Sequence, residues 1–300
     1  MKPCNKCLNW FFFLFIFFLG DGLSRAQTIL PEQQGGRYES MVFNALFQSK
    51  NKVKKMTGTF SEKRDNMPIE KKPGRIEIEF DRDGRMVRHF RARSIGSLRD
   101  TSIHLWEYRE EGDVLAETVK NGRSLLRNIS VERGDTLYTS SFRVEDEQEF
   151  RDLDQLERWW HFDSFQVKKG DDRQRIITYH NELHLPFRSE TLKYNDLGYL
   201  IERIEVYLMT NRSDIVTLEY NESGRLLKRT LHKGNKDKEE HHFSYDASGL
   251  MLTWDVYKNG KKYQHLEVLY DHRGLVEAFI TKFEQTQRIE IVQYDYEFYS

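Results

Sequence analysis

Residues 218–226 read LEYNESGRL, residues 243–251 read FSYDASGLM, and residues 268–276 read VLYDHRGLV. All three share the form apolar-x-Tyr-(Asp/Asn)-x-x-Gly-x-apolar, and successive glycines are 25 residues apart. Apolar residues that alternate on both sides of a turn are typical of half-buried β-strands. Asp or Asn bonds to the backbone two residues on, and Gly tolerates a positive φ. Each stretch therefore predicts a β-hairpin whose three-residue turn ends in a glycine at a G1 bulge.

Further copies extend this repeat toward both ends of the chain. Residues 192–200 (LKYNDLGYL) lie one period upstream, and residues 292–295 (VQYD) lie one period downstream. Residues 78–86 (IEFDRDGRM) fit with Phe in place of Tyr, and residues 106–114 (WEYREEGDV) fit more loosely. Such repeats bury their apolar faces only by stacking on neighbours. The predicted fold is mainly β, an antiparallel meander of hairpin repeats that forms an open curved sheet or a barrel-like one.

The form Tyr-Asp-x-x-Gly-Arg-Leu, seen best at residues 220–226 and 80–86, resembles the YD repeat of RHS-type bacterial proteins. The resemblance covers 191–300 and 74–93 well and 102–127 loosely, and the middle of the chain does not match. It implies an exported or cell-surface array of β-hairpins in a cell-envelope context. It implies no activity, since the chain lacks the self-cleavage motif and toxin tail of the large family members.

Two helices are expected beside the hairpins. Apolar residues fall near helical spacing from Tyr38 to Val53, which favours one N-terminal amphipathic helix. Apolar residues also recur at three- and four-residue steps near 145–160, which predicts a helix inserted between two blocks of hairpins. The run Lys71-Lys72-Pro73-Gly74 predicts a break before a first hairpin at 75–93.

The front of the chain has the form of a signal peptide. Lys2 and Lys6 precede an unbroken apolar run at 10–19, and Ala26 lies just before a predicted cut at Gln27. The apolar run is too short for a membrane-spanning helix. The predicted organisation is a signal peptide over 1–26, a flexible leader over 27–37 and a β-hairpin repeat domain over 38–300. A retained N-terminal anchor is the alternative to cleavage.

Charge and cysteine content exclude several kinds of function. Loss of residues 1–26 would change the net charge from −1 to −3, which gives no electrostatic reason to expect nucleic acid as a partner. Cys4 and Cys7 would leave with the signal peptide, so the mature chain is expected to have neither disulfides nor thiol chemistry. Neither Gly-x-Ser-x-Gly nor a P-loop occurs. The sequence therefore predicts neither an enzyme nor a cofactor.

Candidate metal ligands have simpler interpretations. His180 and His184 have the spacing of a helical metal pair but lie between strand tracts. His241 and His242 are neighbours on a strand and are expected on opposite faces, at a solvated edge beside Glu239 and Glu240. Asp81-Arg82-Asp83-Gly84 and Gly170-Asp171-Asp172 resemble fragments of calcium loops but lack a full ligand series, so turn geometry is the preferred interpretation.

The tryptophans are the remaining candidates for a binding site. Trp106, Trp159, Trp160 and Trp254 could form a stacking platform for a ligand, and packing in the core is the preferred alternative. No pattern identifies the partner, for which a glycan, a peptide and an envelope protein are the candidates.

The main functional hypothesis is an exported binding or structural module in the periplasm, at the cell surface or outside the cell, not embedded in a membrane after cleavage. The alternative is a periplasmic carrier of lipid or another apolar ligand, because the opening helix, residues 56–60 and the long meander resemble the half-barrel of lipoprotein carriers. That alternative predicts a helix-capped concave sheet with an unfilled apolar cavity. A third hypothesis is an outer-membrane β-barrel, which Arg225, Lys228 and Arg229 on one strand oppose.

Overall fold

A computed structural model describes residues 29–30, 42–64, 67–95, 98–108, 114–121, 124–133, 136–144, 161–171, 173–234 and 237–300. The signal peptide, its cleavage site at Ala26 and Gln27, and the inserted helix predicted at 145–160 lie outside these residues and stay predictions. Of the leader predicted over 27–37, only Ile29 and Leu30 are described; they form a strand that pairs with Val42 and Phe43, and the rest of the leader stays a prediction. The elements in chain order are β1 (Ile29–Leu30), β2 (Val42–Phe43), α1 (Ala45–Lys50), β3 (Val53–Lys63), β4 (Glu70–Phe80), β5 (Met86–Ile95), β6 (Leu98–Tyr108), β7 (Val114–Asn121), β8 (Ser124–Arg133), β9 (Thr136–Val144), β10 (His161–Gly170), β11 (Gln174–His180), β12 (Pro186–Tyr194), β13 (Leu200–Tyr207), β14 (Arg212–Tyr220), β15 (Leu226–Lys233), β16 (Asp237–Tyr245), β17 (Met251–Lys258), β18 (Lys261–Tyr270), β19 (Val276–Phe283) and β20 (Arg288–Phe298).

Strands β3 to β20 form one antiparallel sheet in which each strand pairs with the next along the chain. The sheet closes because β20 pairs with β3, from Ile289 opposite Lys63 to Phe298 opposite Val53. This confirms the predicted antiparallel meander, and of the two predicted forms, an open curved sheet and a barrel-like one, the sheet has the barrel-like form. A closed sheet of about this many strands encloses more space than its own side chains fill. The inner face is therefore the place to look for a site.

The repeat forms the predicted hairpin turns. Gly224 has φ 75° and Gly249 has φ 98°, in the left-handed region that favours glycine. Asn221 Oδ1 accepts hydrogen bonds from the backbone N–H of Ser223 (3.0 Å) and of Arg225 (2.9 Å). The register shifts by one residue between Glu219 and Tyr220, as a bulge requires.

Tyrosine hydroxyls tie each hairpin to the preceding one. The hydroxyl of Tyr245 donates to the carbonyl oxygen of Leu226 at 2.8 Å, and Tyr220 and Tyr270 do the same one hairpin earlier and later. On β20, the hydroxyl of Tyr296 donates to the carbonyl oxygen of Val276, whereas Tyr294 forms no equivalent bond within the described residues. The copy predicted at 292–295 is therefore wrong: β20 runs straight through it, and the Tyr294 ring packs edge-on against Phe279.

Helix α1 lies at one end of the barrel, against the β4–β5 turn, and we call this end the plug end. Ser49 Oγ donates to the carbonyl oxygen of Arg82 in the β4–β5 turn (2.8 Å), and Phe47, only 6% exposed, joins the core. The helix predicted over 38–53 is shorter than expected. The Asn44 side chain caps its start, accepting from the Phe47 N–H, and Lys52, with φ 55°, follows its end.

Strand β4 runs through Pro73 and Gly74, so the predicted break at that point is wrong. The register against β3 shifts between Thr59 and Phe60, and such a bulge accepts a proline that donates no hydrogen bond. The turns at 208–211, 259–260 and 284–287 lie at the other end of the barrel, which we call the far end.

Candidate functional site

A cavity of about 510 Å³ lies against the inner face of the barrel, which is within the range of small-ligand pockets. Its wall is a continuous run of strands, β16 to β20 followed by β3 to β5, and Phe43 of β2 contributes from the plug. Residues from alternate positions of these strands face it, because successive side chains of a strand point to opposite faces. An exception is the adjacent pair Tyr263 and Gln264 on β18, where the register with β17 shifts at a bulge. The lining is Phe43, Phe60, Ile76, Ile78, Met86, His89, Arg91, Glu239, His241, Trp254, Val256, Lys258, Tyr263, Gln264, Leu266, Phe279, Thr281, Glu290, Val292 and Tyr294.

The cavity is amphipathic along the barrel axis. Toward the plug end its lining is apolar, with Phe43, Ile78 and Met86 beside the β4–β5 turn. Toward the far end its lining includes charged groups, since Lys258 is the last residue of β17 and Glu290 lies near the start of β20. An apolar pocket with a few placed polar groups is the usual form of a small-molecule site.

A partly buried hydrogen-bond relay joins Glu239, His241 and Trp254 in the lining. The indole Nε1–H of Trp254 donates to His241 Nδ1 at 2.8 Å, and His241 Nε2 lies 2.9 Å from Glu239 Oε1. An indole N–H can only donate, so Nδ1 accepts and the ring proton sits on Nε2, facing the carboxylate. Burial lowers the pKa of His241 more than the Glu239 carboxylate raises it. The hydrogen bond from His241 in turn lowers the pKa of Glu239.

This relay fixes the Trp254 ring instead of supplying a catalytic base. Both imidazole nitrogens of His241 are engaged, and neither is left to take a proton from a substrate. Phe243 stacks on the indole, with ring centroids 5.7 Å apart. The arrangement presents a rigid aromatic wall to the cavity.

The other charged groups of the cavity differ in their partners. Arg93, beside the lining and above the Phe60 ring, forms an ion pair with Glu290. Lys258 Nζ lies 3.9 Å from the centre of the Tyr263 ring. Burial first, then the nearby His104 and Arg91, lowers the pKa of His89 from 6.5 to about 4, so His89 is neutral at pH 7.

A second polar cluster lies on β11 to β13, away from the cavity lining. Arg188 Nη1 lies 3.1 Å from Glu205 Oε1, and the Arg188 guanidinium stacks on Tyr179 at 3.7 Å. Burial raises the pKa of Tyr179 to about 12, and the nearby Glu190 adds to it. The Glu205 carboxylate and the Tyr179 ring offset the Arg188 charge, although the Arg188 Nε–H itself is buried without a hydrogen-bond partner among the described residues.

The structure places the predicted binding residues apart. Trp254 lines the cavity, whereas Trp106 lies outside its lining and stacks on His104 with ring centroids 5.7 Å apart. Trp159 and Trp160 lie outside the described residues. No platform of these four tryptophans is seen in the described part of the chain, and their role in binding stays a prediction.

The sequence predicts a solvated edge for Glu239 and His241, and this prediction is wrong for both residues. His241 is 2% exposed, and it shares the inner face with Phe243. His242 lies on the other face, beside Tyr257, as the strand pattern predicted. The available signal was the alternation Glu239-x-His241-x-Phe243, which continues into the inward-facing Tyr245.

The other metal candidates serve turns. Asp81 Oδ1 accepts from the Arg85 N–H at 2.8 Å, and Asp171 Oδ1 accepts from the Arg173 N–H at 2.9 Å. His180 ends β11 and His184 lies in the following turn with φ 61°, so the two do not share a helical face. Within the described ranges, no three metal-binding side chains come together.

The outer face of the barrel carries paired charges. Glu77 lies between the cavity-lining residues Ile76 and Ile78, so its side chain points outward, where Lys55, Arg75 and Arg88 surround it at 2.9–3.3 Å. Lys228 and Glu240 pair on the same face at 2.8 Å. Among the residues described, no helix has the length and apolar character needed to cross a membrane. The inner cavity is the better candidate for ligand binding.

Neither a protein-family model nor a curated protein matches the sequence. Solved structures that resemble the fold include a porin-like protein from Bacteroides uniformis, at 10% identity over 82% of this chain and 98% of that one, with a TM-score of 0.42. Another is a porin-like protein from Bacteroides vulgatus, at 10% identity over 80% of this chain and 97% of that one, with a TM-score of 0.28. A LolA superfamily protein from Nitrosomonas europaea has 8% identity over 85% and 92%, with a TM-score of 0.17.

These findings correct the resemblance to YD-repeat proteins of the RHS type. No family model supports it, and the solved structures that resemble the fold over most of both chains include porin-like proteins, a LolA superfamily protein and a DUF1329 family protein. The Tyr-Asp-x-x-Gly pattern is explained by hairpin geometry, because the Asp or Asn accepts backbone N–H groups and the Gly adopts a positive φ. Any antiparallel meander with this turn can have the same pattern.

Proposed function

We propose that this protein is an exported carrier that holds a single-chain amphiphile in its barrel, the apolar part toward the plug and the polar part toward the far end. The observation that carries the proposal is the change in the cavity lining from Phe43, Ile78 and Met86 at one end to Lys258 and Glu290 at the other. From the sequence, an exported binding or structural module is the main hypothesis and a carrier of an apolar ligand is the alternative, and the proposal takes the carrier.

Three features support retention of an apolar chain. Phe60, Leu266 and Phe279 belong to the buried core cluster and also line the cavity, so an apolar ligand would extend the core. Phe47 of helix α1 and Phe43 pack with the core cluster at the plug end, which would shield the ligand's apolar end from water. The relay through His241 holds Trp254 in one orientation, which lowers the ordering cost of binding.

Filling the cavity with a larger side chain tests this proposal. Thr281 lines the cavity, whereas Ile280, its neighbour on β19, points outward. We expect a neutral, fluorescent single-chain amphiphile to bind the wild type saturably, and Thr281→Trp to weaken binding at least about tenfold by occupying its space. The matched Ile280→Trp should bind as the wild type does.

Circular dichroism shows whether both variants fold. Quenching of Trp254 fluorescence by an amphiphile with a brominated alkyl chain gives a second readout in the native chain, with Trp254→Phe as its blank. Absence of saturable binding to the wild type, or equal binding by the two tryptophan variants, would contradict a carrier function.

A further inference from the structure

We infer that the ligand's polar end is an oxyanion headgroup, a carboxylate or a phosphate, held by Arg91 of β5 and Lys258 of β17. This rests on the proposed function and adds the chemical class of the ligand. Both side chains line the cavity, and both are exposed, so they are accessible to a ligand.

The carboxylates of the cavity already have partners. Glu290 is paired with Arg93, and Glu239 accepts from the neutral His241. A cationic headgroup would have to compete with these partners for a carboxylate. The acidic side chains of the lining are therefore poor candidates for ligand recognition.

The two cations lack such partners. Neither Arg91 nor Lys258 forms an ion pair with any carboxylate in the described part of the chain, whereas the outward-facing Lys55, Arg88 and Lys228 all do. Lys258 is opposite Glu239 in the β16–β17 register and its charge helps to lower the Glu239 pKa, but its Nζ lies over the Tyr263 ring.

The charge balance favours an anion. Arg91, Arg93 and Lys258 bring three positive charges to this region, against two negative charges on Glu239 and Glu290. His89 is neutral at pH 7 because its pKa is about 4, and part of that lowering comes from the charge of Arg91 itself. A carboxylate or phosphate on the ligand would neutralise the excess charge, and the Arg91 guanidinium can donate two parallel hydrogen bonds to it.

A matched set of amphiphiles with one alkyl chain tests the inference, using carboxylate, phosphate, hydroxyl and trimethylammonium headgroups. Each displaces a neutral fluorescent probe from the wild-type protein. We expect the carboxylate or the phosphate to bind at least about tenfold more tightly than the hydroxyl compound, since charge-assisted hydrogen bonds exceed neutral ones by that order. Comparison of the two affinities shows whether the protein prefers a fatty-acid-like carboxylate or a phosphate.

The Arg91→Gln/Lys258→Gln variant should lose this preference and keep its affinity for the hydroxyl compound. The control, Arg75→Gln/Lys282→Gln, removes the same charges from the outer face and should keep the preference. If all four headgroups bound equally, or if trimethylammonium bound most tightly, the inference of an anionic headgroup would be wrong, and the carrier function would still stand. Failure of every amphiphile to bind would overturn the carrier function as well.

Discussion

Gly84 and Gly198 occupy equivalent turns, with φ 78° and 79°, but their surroundings differ. A Cβ on Gly84 would overlap the carbonyl oxygen of Ala45 in α1, whereas a Cβ on Gly198 would meet nothing within 4 Å. We expect Gly198→Ala to cost about 1–2 kcal/mol of unfolding free energy, from left-handed backbone strain alone. Gly84→Ala should cost roughly 1–3 kcal/mol more because it pushes the helix away. Urea unfolding measures both, and equal costs would mean that α1 is not held against this turn.

The sequence pattern predicts the turn glycines because their conformation is a local property of the chain. The environment beyond the turn is not local. Nothing in the residues around Gly84 indicates that α1 packs on it, and nothing next to His241 indicates that Trp254 will bond to its ring. Alternation alone would have placed Glu239 and His241 on the inner face, but the charge of the neighbouring Glu240 favoured a solvated interpretation.

Between elements, the tyrosine hydroxyls connect consecutive hairpins. The Tyr245 hydroxyl donates to the Leu226 carbonyl oxygen at 2.8 Å, and burial raises the pKa of Tyr245, so the group stays protonated and donating. We expect Tyr245→Phe to lower the unfolding free energy by about 1–2 kcal/mol, because the carbonyl loses its partner in a buried site. Tyr257→Phe, on the outer face of the next strand, is the matched control and should change it by less than about 0.5 kcal/mol. Chemical denaturation that gave equal losses for both would rule out the hydroxyl's role.

At this scale the hairpins could be predicted and the helix bounds could not. The pattern repeats at a fixed period, so each copy supports the others, and the order of the strands follows from short connections. Helix α1 has six residues because Asn44 caps its start, while β2 and β3 take the flanking residues into strands. Apolar spacing from Tyr38 to Val53 cannot distinguish this from a longer helix, since strand pairing with distant residues decides the outcome.

For the molecule as a whole, the neutral histidines of the inner face make stability depend on pH. The folded pKa of His89 is about 4, below the ordinary value of 6.5, so the unfolded chain takes up a proton as the pH falls from 7 to 5 and the folded chain does not. The unfolding free energy should fall by about 1–2 kcal/mol over that range through His89, and the lowered pKa of His241 acts in the same direction.

Denaturation at pH 7 and pH 5 measures this loss. His89→Gln should reduce it, whereas His272→Gln, in an exposed turn, should leave it as in the wild type. An unchanged difference in His89→Gln would show that His89 is not kept neutral by its surroundings.

Closure of the sheet and formation of the cavity depend on the whole molecule, so no single stretch of sequence predicts them. The sequence left the open sheet and the barrel as alternatives, because the pairing of β20 with β3 depends on the twist and curvature summed over all intervening strands. The carrier alternative did predict an unfilled apolar cavity. Its polar end could not be predicted, because Arg91 and Lys258 lie far apart in sequence and line one cavity only because the sheet curves.

The seam between β20 and β3 also sets the order in which the barrel can assemble. Its ion pair joins Arg288 to Glu62, 226 residues apart in sequence, whereas every other pair among the described strands joins neighbours along the chain. Hairpins can therefore form early, as soon as each turn is made. Pairing of β20 with β3 costs the conformational entropy of closing the largest loop in the chain. Until it closes, β3 and β20 are unpaired edges that can bind other strands. We expect the final step of folding to be the slow one, and mutations in the seam to raise aggregation during refolding more than mutations of equal cost elsewhere in the barrel.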